Sequence, residues 1–349
     1  MTSTKDTKAV LTRLNLVLKR TQTVTNLTPL ISWLPQTQPA PAWIPLKTHA
    51  GVTKIMPVMP NLSLYPNLMQ LICQRIANDN YVEWQQHPYE MAGVEADTST
   101  LHVIQIPLIA TTPLPATLGR AIHAQCFQWF ANTDTALAQY LHQQESVPFT
   151  LGIQYFSPNK MQLRITLLKH ELLAPLLWGL HSDLGSEITL ADVSCRLSEY
   201  INISQTSSFA KLVQLPVQNT IKLKFLSPTS FKQKGAIQPF PLPELVFNGL
   251  LRRWNNFAPV ELKFPEITWN SLVSAFELKT HTLKLEGGAE IGAQGWVMYR
   301  FPDSEQAKIA TVLAHFAQFA GVGRKTAMGM GQTNVVKKLE INKGDKFNN

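Results

Sequence analysis

Between Gly321 and Gly331 the chain reads Gly-Val-Gly-Arg-Lys-Thr-Ala-Met-Gly-Met-Gly, four glycines in eleven residues around an Arg324-Lys325-Thr326 triplet. Glycine takes up positive φ at no steric cost and lets a ligand approach the main chain. Backbone N–H groups turned outward, with the arginine and lysine side chains, would face an anion. The chemistry these residue types support is the holding of a phosphate chain, with Gly321, Gly323, Arg324, Lys325, Thr326, Gly329 and Gly331 as candidate contacts. A Walker A loop is excluded, because it needs glycine where Arg324 and Phe319 stand. A dinucleotide fingerprint follows a strand and opens a helix, whereas this loop follows a helical pattern (Ile309, Val312, Leu313, Phe316, Ala317) and leads into a short strand at Asn334 to Val336. The plainer alternative is a glycine-rich turn that ends a helix, and it leaves the basic triplet unexplained.

The elements that must position this loop come from a repeated order. Leu101 to Leu108 is β-rich, and Thr117 is placed to cap a helix running to about Phe130. A short helix from Asp134 to His142 follows, then strands at Phe149 to Phe156 and Met161 to Leu168, a helix from Glu171 to Leu180 and a strand from Ile188 to Leu197. The second copy begins with the alternating strand Thr220 to Phe225. It continues through a helix opened by Pro243, strands at Phe276 to Leu285 and Gly295 to Phe301, and a helix capped by Asp303. Each copy is βαββαβ, which predicts an α+β chain of tandem ferredoxin-like (RRM-like) domains. The expected divisions are an N-terminal extension over 1–98, a first domain over 99–215, a second over 216–340 and a tail over 341–349. In the extension only Ala9 to Lys19 reads as a strand and Asn67 to Ala77 as a helix; Pro29, Pro35, Pro39, Pro41 and Pro45 make the rest irregular.

Composition narrows the partners. The 349 residues carry a formal charge of +8, and the pI is about 9.3. From Val217 to Glu340 there are 15 Lys or Arg against 9 Asp or Glu, so this stretch holds six of the eight excess charges. A polyanion fits such a surface. Cys73, Cys126 and Cys195 lie too far apart for a CxxC zinc site or a disulfide framework. No HExxH or HxH spacing occurs, so neither metal nor cofactor is expected. Without a long apolar run or a signal-like start, a soluble cytoplasmic protein with no membrane partner is expected.

Several stretches together resemble the CRISPR repeat-processing endoribonucleases, a branch of the RAMP proteins. The glycine loop resembles their C-terminal signature. Pro115-Ala-Thr-Leu-Gly-Arg-Ala-Ile-His123 resembles the start of their first helix, and Ala136-Leu-Ala-Gln-Tyr-Leu-His142 with Pro148-Phe149-Thr150 resembles their Leu-His segment. Leu226-Ser-Pro-Thr-Ser-Phe231 and Pro241-Leu-Pro-Glu-Leu-Val-Phe247 resemble landmarks of their second domain. The resemblance spans roughly Leu101 to Leu339. It implies cleavage of precursor CRISPR RNA within each repeat, without metal, through attack of a 2′-hydroxyl that leaves a 2′,3′-cyclic phosphate and a 5′-hydroxyl. It also implies repeat RNA as the partner, with other CRISPR effector-complex subunits as further ones. The competing class with the same fold is a non-catalytic RAMP subunit that coats guide RNA.

That reaction needs a base, an acid and cations on the developing charge, and histidine suits either proton role. His142 stands where the family places its catalytic histidine. His123 lies on the first helix, three residues after Arg120 and on the same face. The plainer readings are a helix-terminal histidine at His142 and a partly buried core histidine at His123. Some members carry a tyrosine on the first helix and a lysine after the Leu-His histidine. Here Phe127 and Gln128 occupy the helix, and Gln143 to Pro148 contains no lysine. Arg120, Arg324 and Lys325 are then the cations, with Arg252 and Arg253 as a second basic pair for the RNA and Lys222, Lys224, Lys232 and Lys234 clustered around the Ser-Pro-Thr segment.

Overall fold

The computed structural model describes residues 10–22, 27–35, 37–47, 52–78, 80–115, 118–285 and 288–336. Thr117, expected as a helix cap, and the tail over 341–349 lie outside them. Among the described residues, no helix is long and apolar enough to cross a membrane.

The N-terminal stretch is more regular than its prolines suggest. Strands β1 (Arg13–Arg20), β2 (Thr28–Pro29), β3 (Ala42–Pro45) and β4 (Thr53–Val58), helix α1 (Tyr65–Asn78), then β5 (Tyr81–Trp84) and β6 (His87–Asp97) form one sheet in the order β2-β5-β6-β1-β4-β3. The expected strand and helix are there, and the irregular remainder is not. Pro45 and Pro57 lie within strands, Pro45 on the edge strand β3 where a missing N–H is tolerated. Leu14, Leu16 and Leu18 share a core with Tyr65, Leu68 and Ile72 of α1.

Next come β7 (Leu101–Ala110), α2 (Leu118–Thr133), α3 (Thr135–His142), β8 (Phe149–Ser157), β9 (Lys160–Leu167), α4 (Leu173–Leu180), β10 (Glu187–Leu190), β11 (Val193–Leu197), β12 (Asn202–Ser207) and the short α5 (Phe209–Leu212). Their sheet runs β10-β11-β7-β9-β8, with β12 also on β7 and every pairing antiparallel. This is the ferredoxin-like order. The single strand expected at Ile188 to Leu197 is a hairpin, because Ala191 and Asp192 both take positive φ (49° and 63°) and turn the chain back. Asp134 caps α3 through Ala136 N–H and Leu137 N–H.

The third unit has β13 (Thr220–Thr229), β14 (Phe231–Gln233), β15 (Ala236–Gln238), α6 (Pro243–Phe257), β16 (Leu272–Leu285), β17 (Gly288–Arg300), α7 (Ser304–Ala320) and β18 (Thr333–Val335). The order β16-β17-β13-β18 is again ferredoxin-like and antiparallel. Pro243 opens α6 at a position where no N–H is needed. Asp303 caps α7 through Gln306 N–H at 2.8 Å, and Gly321 (φ 66°) ends it.

The two ferredoxin-like units dock through α7. Leu101, Val103 and Leu168 of the first share a core with Phe316 and Phe319 of the second. Thr166 Oγ1 donates to the Phe319 carbonyl at 2.5 Å, and Arg164 donates to that of Gln318 at 2.6 Å. A cation at the helix C-terminus complements its dipole. The glycine loop thus leaves a helix end fixed by the opposite unit.

Candidate active site

All four loop glycines adopt positive φ: 66° at Gly321, 81° at Gly323, 91° at Gly329 and 71° at Gly331. Lys325 does so too, at 53°. A Cβ at Gly323 would collide with the Ser230 carbonyl oxygen, and one at Gly331 with that of Val322. The reason for these close approaches is internal bonding. Val322 N–H donates to Gly331, Arg324 N–H to Ser230, Gly331 N–H to Pro228, and the N–H groups of Met328 and Met330 both to Lys325. These five N–H groups therefore do not face an anion as the glycine pattern suggests; they fold the loop onto itself and onto the Ser-Pro-Thr segment.

The side chains meet an anion of the protein's own. Glu290 on β17 is 6% exposed; its Oε1 accepts from Arg324 Nη1 at 3.1 Å and from Ser230 Oγ at 2.6 Å, and its Oε2 pairs with Lys325 Nζ at 2.6 Å. Burial works to raise the Glu290 pKa. The hydrogen bonds from Lys325 and Ser230 and the charges of Arg324 and Lys325 outweigh it, and the carboxyl stays below its ordinary value. Arg324 and Lys325 keep about a third of their side chains exposed, so both present an open side to solvent while the carboxylate holds the other.

Arg252 and Arg253 part company. Arg252 is exposed and lines a cleft of about 1030 Å³, with His123, Lys232, Arg324 and Lys325 on the same walls. Arg253 lines it too, but its guanidinium donates to Thr326 Oγ1 at 2.8 Å and to the carbonyls of Val147 at 3.1 Å and Phe149 at 3.3 Å. Burial pushes its pKa down to about 10. Expected as an RNA contact, Arg253 instead ties the glycine loop to the first unit, and Thr326, itself buried, is one of its acceptors. Arg120 is exposed on α2 and lies outside the residues that line the cleft.

His123 and His142 flank one aromatic ring. Phe127 is 4.8 Å from the His123 ring and 5.2 Å from the His142 ring, centroid to centroid. Desolvation, then the charge of His142, lowers the His123 pKa. His123 faces the large cleft, while exposed His142 borders a shallower depression with Phe127 and Gln139. A backbone contact sets the spacing between the histidine helix and the loop: a Cβ at Gly119 would strike the Met328 carbonyl oxygen. The sequence reading missed Glu290 altogether, since a lone glutamate on a strand carries no motif. It held Ser230 only as part of a landmark.

The cleft therefore gathers an imidazole and several cations on shared walls. Residues 223–333 match the family described as CRISPR-associated endoribonuclease Cas6. A Mycobacterium tuberculosis protein described in the same words is 25% identical over 233 residues, which cover 63% of this chain and 72% of that one. A Cas6 product complex superposes with a TM-score of 0.62 at 26% identity, over 68% of this chain and 100% of that chain. Thermus thermophilus Cas6 superposes with a TM-score of 0.55 at 25% identity, over 69% and 100%. These likenesses, of the final third to the family model and of about two thirds of the chain to the solved structures, support a CRISPR repeat-processing endoribonuclease of the Cas6 type.

Proposed function

We propose that the protein matures guide RNA by cutting precursor CRISPR RNA inside each repeat, without a metal ion. The observation that carries this reading is the shared cleft: His123 and the cations of the glycine loop line the same cavity, although about two hundred residues separate them. The first ferredoxin-like unit supplies the proton-transfer groups, and the second supplies the grip on the RNA. His123, with its lowered pKa, is neutral at pH 7 and acts as base. It takes the proton of the 2′-hydroxyl as O2′ bonds to phosphorus. The bond from phosphorus to O5′ breaks, and His142, as the general acid, gives a proton to O5′. The products are a 2′,3′-cyclic phosphate and a 5′-hydroxyl. Arg324 and Lys325, with Arg252 and Lys232 nearby, stabilise the charge on the phosphorane. Arg120 contacts the RNA outside the cleft, and other effector subunits receive the product.

A labelled repeat RNA tests the chemistry. Cleavage should persist in EDTA and stop when the scissile nucleotide lacks its 2′-hydroxyl. His123→Ala and His142→Ala should each slow cleavage by roughly 10²-fold or more with little loss of binding. Cutting of the deoxy substrate would reject the 2′-hydroxyl mechanism, and wild-type rates in both variants would reject the histidine assignment. Binding without any cleavage would favour the RNA-coating class instead.

A further inference from the structure

The fold treats its two ferredoxin-like sheets differently. The first sheet has α2 and α4 on one face and α7 of the next unit on the other. The second sheet has α6 and α7 on one face only. On the other face the register sets Lys222 opposite Met298, Lys224 opposite Trp296 and Asn334, Thr220 opposite Arg300, and Lys279 opposite Gln294. Trp296 and Met298 pack into none of the hydrophobic cores formed by the described residues. Lys222, Lys224, Lys279 and Arg300 form no ion pair among the described residues. The neighbouring carboxylate, Glu277, accepts the Trp296 indole N–H at 3.2 Å. Four cations against one carboxylate leave this face strongly positive.

We propose that this open face is a second RNA surface, which takes a single-stranded stretch of the same transcript beside the repeat held in the cleft. The proposal rests on reading the cleft as the repeat-cutting site. Three observations favour a single strand. The cations sit on β13 and its neighbours in two-residue alternation, spaced to follow a backbone rather than to clamp one group. Lys222 Nζ lies 3.9 Å from the Trp296 ring centroid, so the indole face is turned to this surface and a base stacking on it would take the place of the lysine. Only an unpaired base exposes a face to stack there, and four-stranded sheets bind unpaired bases in this way. At one end of the face, Thr220, Met298 and Arg300 line a cavity of about 550 Å³. At the other end, Leu226 and Gln294 line a cleft of about 600 Å³ that reaches Met328 and Gly329 of the glycine loop. The cleft beside the glycine loop thus opens at Gln294 and Asn334, on the edge of this face. Lysine contacts to phosphate carry no sequence information, so the surface should accept any sequence.

The test compares a labelled repeat RNA with the same RNA extended by a short oligouridine flank. The wild-type protein should bind the flanked RNA about tenfold more tightly, with a steeper dependence on salt. Lys222→Glu with Lys224→Glu should abolish that gain and lower the salt slope by up to about two. Trp296→Ala should weaken flanked binding by about fivefold or more. Both variants should bind and cut the unflanked repeat as the wild type does, which also shows that they fold. A flank that adds nothing, or a gain that survives the double charge reversal, would overturn the proposal. Failure of the wild type to bind even the unflanked repeat would overturn the reading of the cleft, and this surface with it.

Discussion

Glu290 changes what can be expected of the loop's cations. Replacing Arg324 and Lys325 by alanine removes both of its ionic partners and strands a buried carboxylate, which typically costs about 3–5 kcal/mol. The double variant should therefore melt early as well as bind RNA weakly. Adding Glu290→Gln should recover much of the melting temperature and none of the RNA affinity. Equal stability of the double and triple variants in a thermal melt would show that the carboxylate was never isolated. A second residue sets a pH limit. His102 is fully buried, and its Nε2–H donates to the Ser99 carbonyl at 2.9 Å. Burial first, then the charge of Arg13, pushes its pKa down to about 4. Unfolded, it titrates near 6.5, so between those values the unfolded chain binds a proton that the folded one does not. Its contribution is intact above about pH 6.5 and is lost as pH falls towards 4, on the order of 3 kcal/mol in all. Comparing melts at about pH 7.5 and pH 5, His102→Gln should lose less stability than the wild type; an equal loss would place the acid sensitivity elsewhere.

At the scale of the element, the glycine loop separates two demands that the sequence presents as one. Gly323 has positive φ and no room for a Cβ, whereas Gly329 has positive φ and open space around it. Gly323→Val should therefore abolish RNA binding by forcing the loop from the Ser230 carbonyl. Gly329→Ala should cost about 1–2 kcal/mol of backbone strain and leave cleavage largely intact. Equal damage from both, measured as cleavage rate and melting temperature, would mean that φ alone governs the loop. The same elements show what was legible. Caps and periodicity reveal Asp134, Pro243 and Asp303 because each acts within one turn of its helix. The turn at Ala191–Asp192 was hidden because alanine rarely takes positive φ, and Asp192, which does so more readily, stands there without a glycine beside it. The N-terminal strands were hidden because their pairing joins distant segments, as β2 with β5. The histidines and the loop could be named from the sequence, but the partners of Arg253 and Glu290 could not, since those contacts span 34 to 106 residues.

The whole molecule turns on Arg253, whose guanidinium joins Val147 and Phe149 of one unit to Thr326 of the other. Arg253→Ala leaves those acceptors facing each other across a gap and should cost about 3 kcal/mol or more, with cleavage falling alongside. Arg253→Lys should rescue little, because one ammonium lacks the planar fork that reaches all three. A lysine variant of full activity would mean that charge alone suffices at this contact.

The cleft draws its walls from His123, Lys232, Arg252 and Lys325, so its last wall lies about two hundred residues beyond its first. On a ribosome adding about 5–20 residues per second, that interval lasts roughly 10–40 s. During it the histidine helix can already have folded beneath its own sheet, yet no cation of the loop has emerged to meet it. On the proposed reading, a nascent chain cannot assemble the cleft until nearly all of it has been made. On the proposed reading, fragments released early by stalled translation would carry the two histidines without the loop's cations, and should cut no RNA.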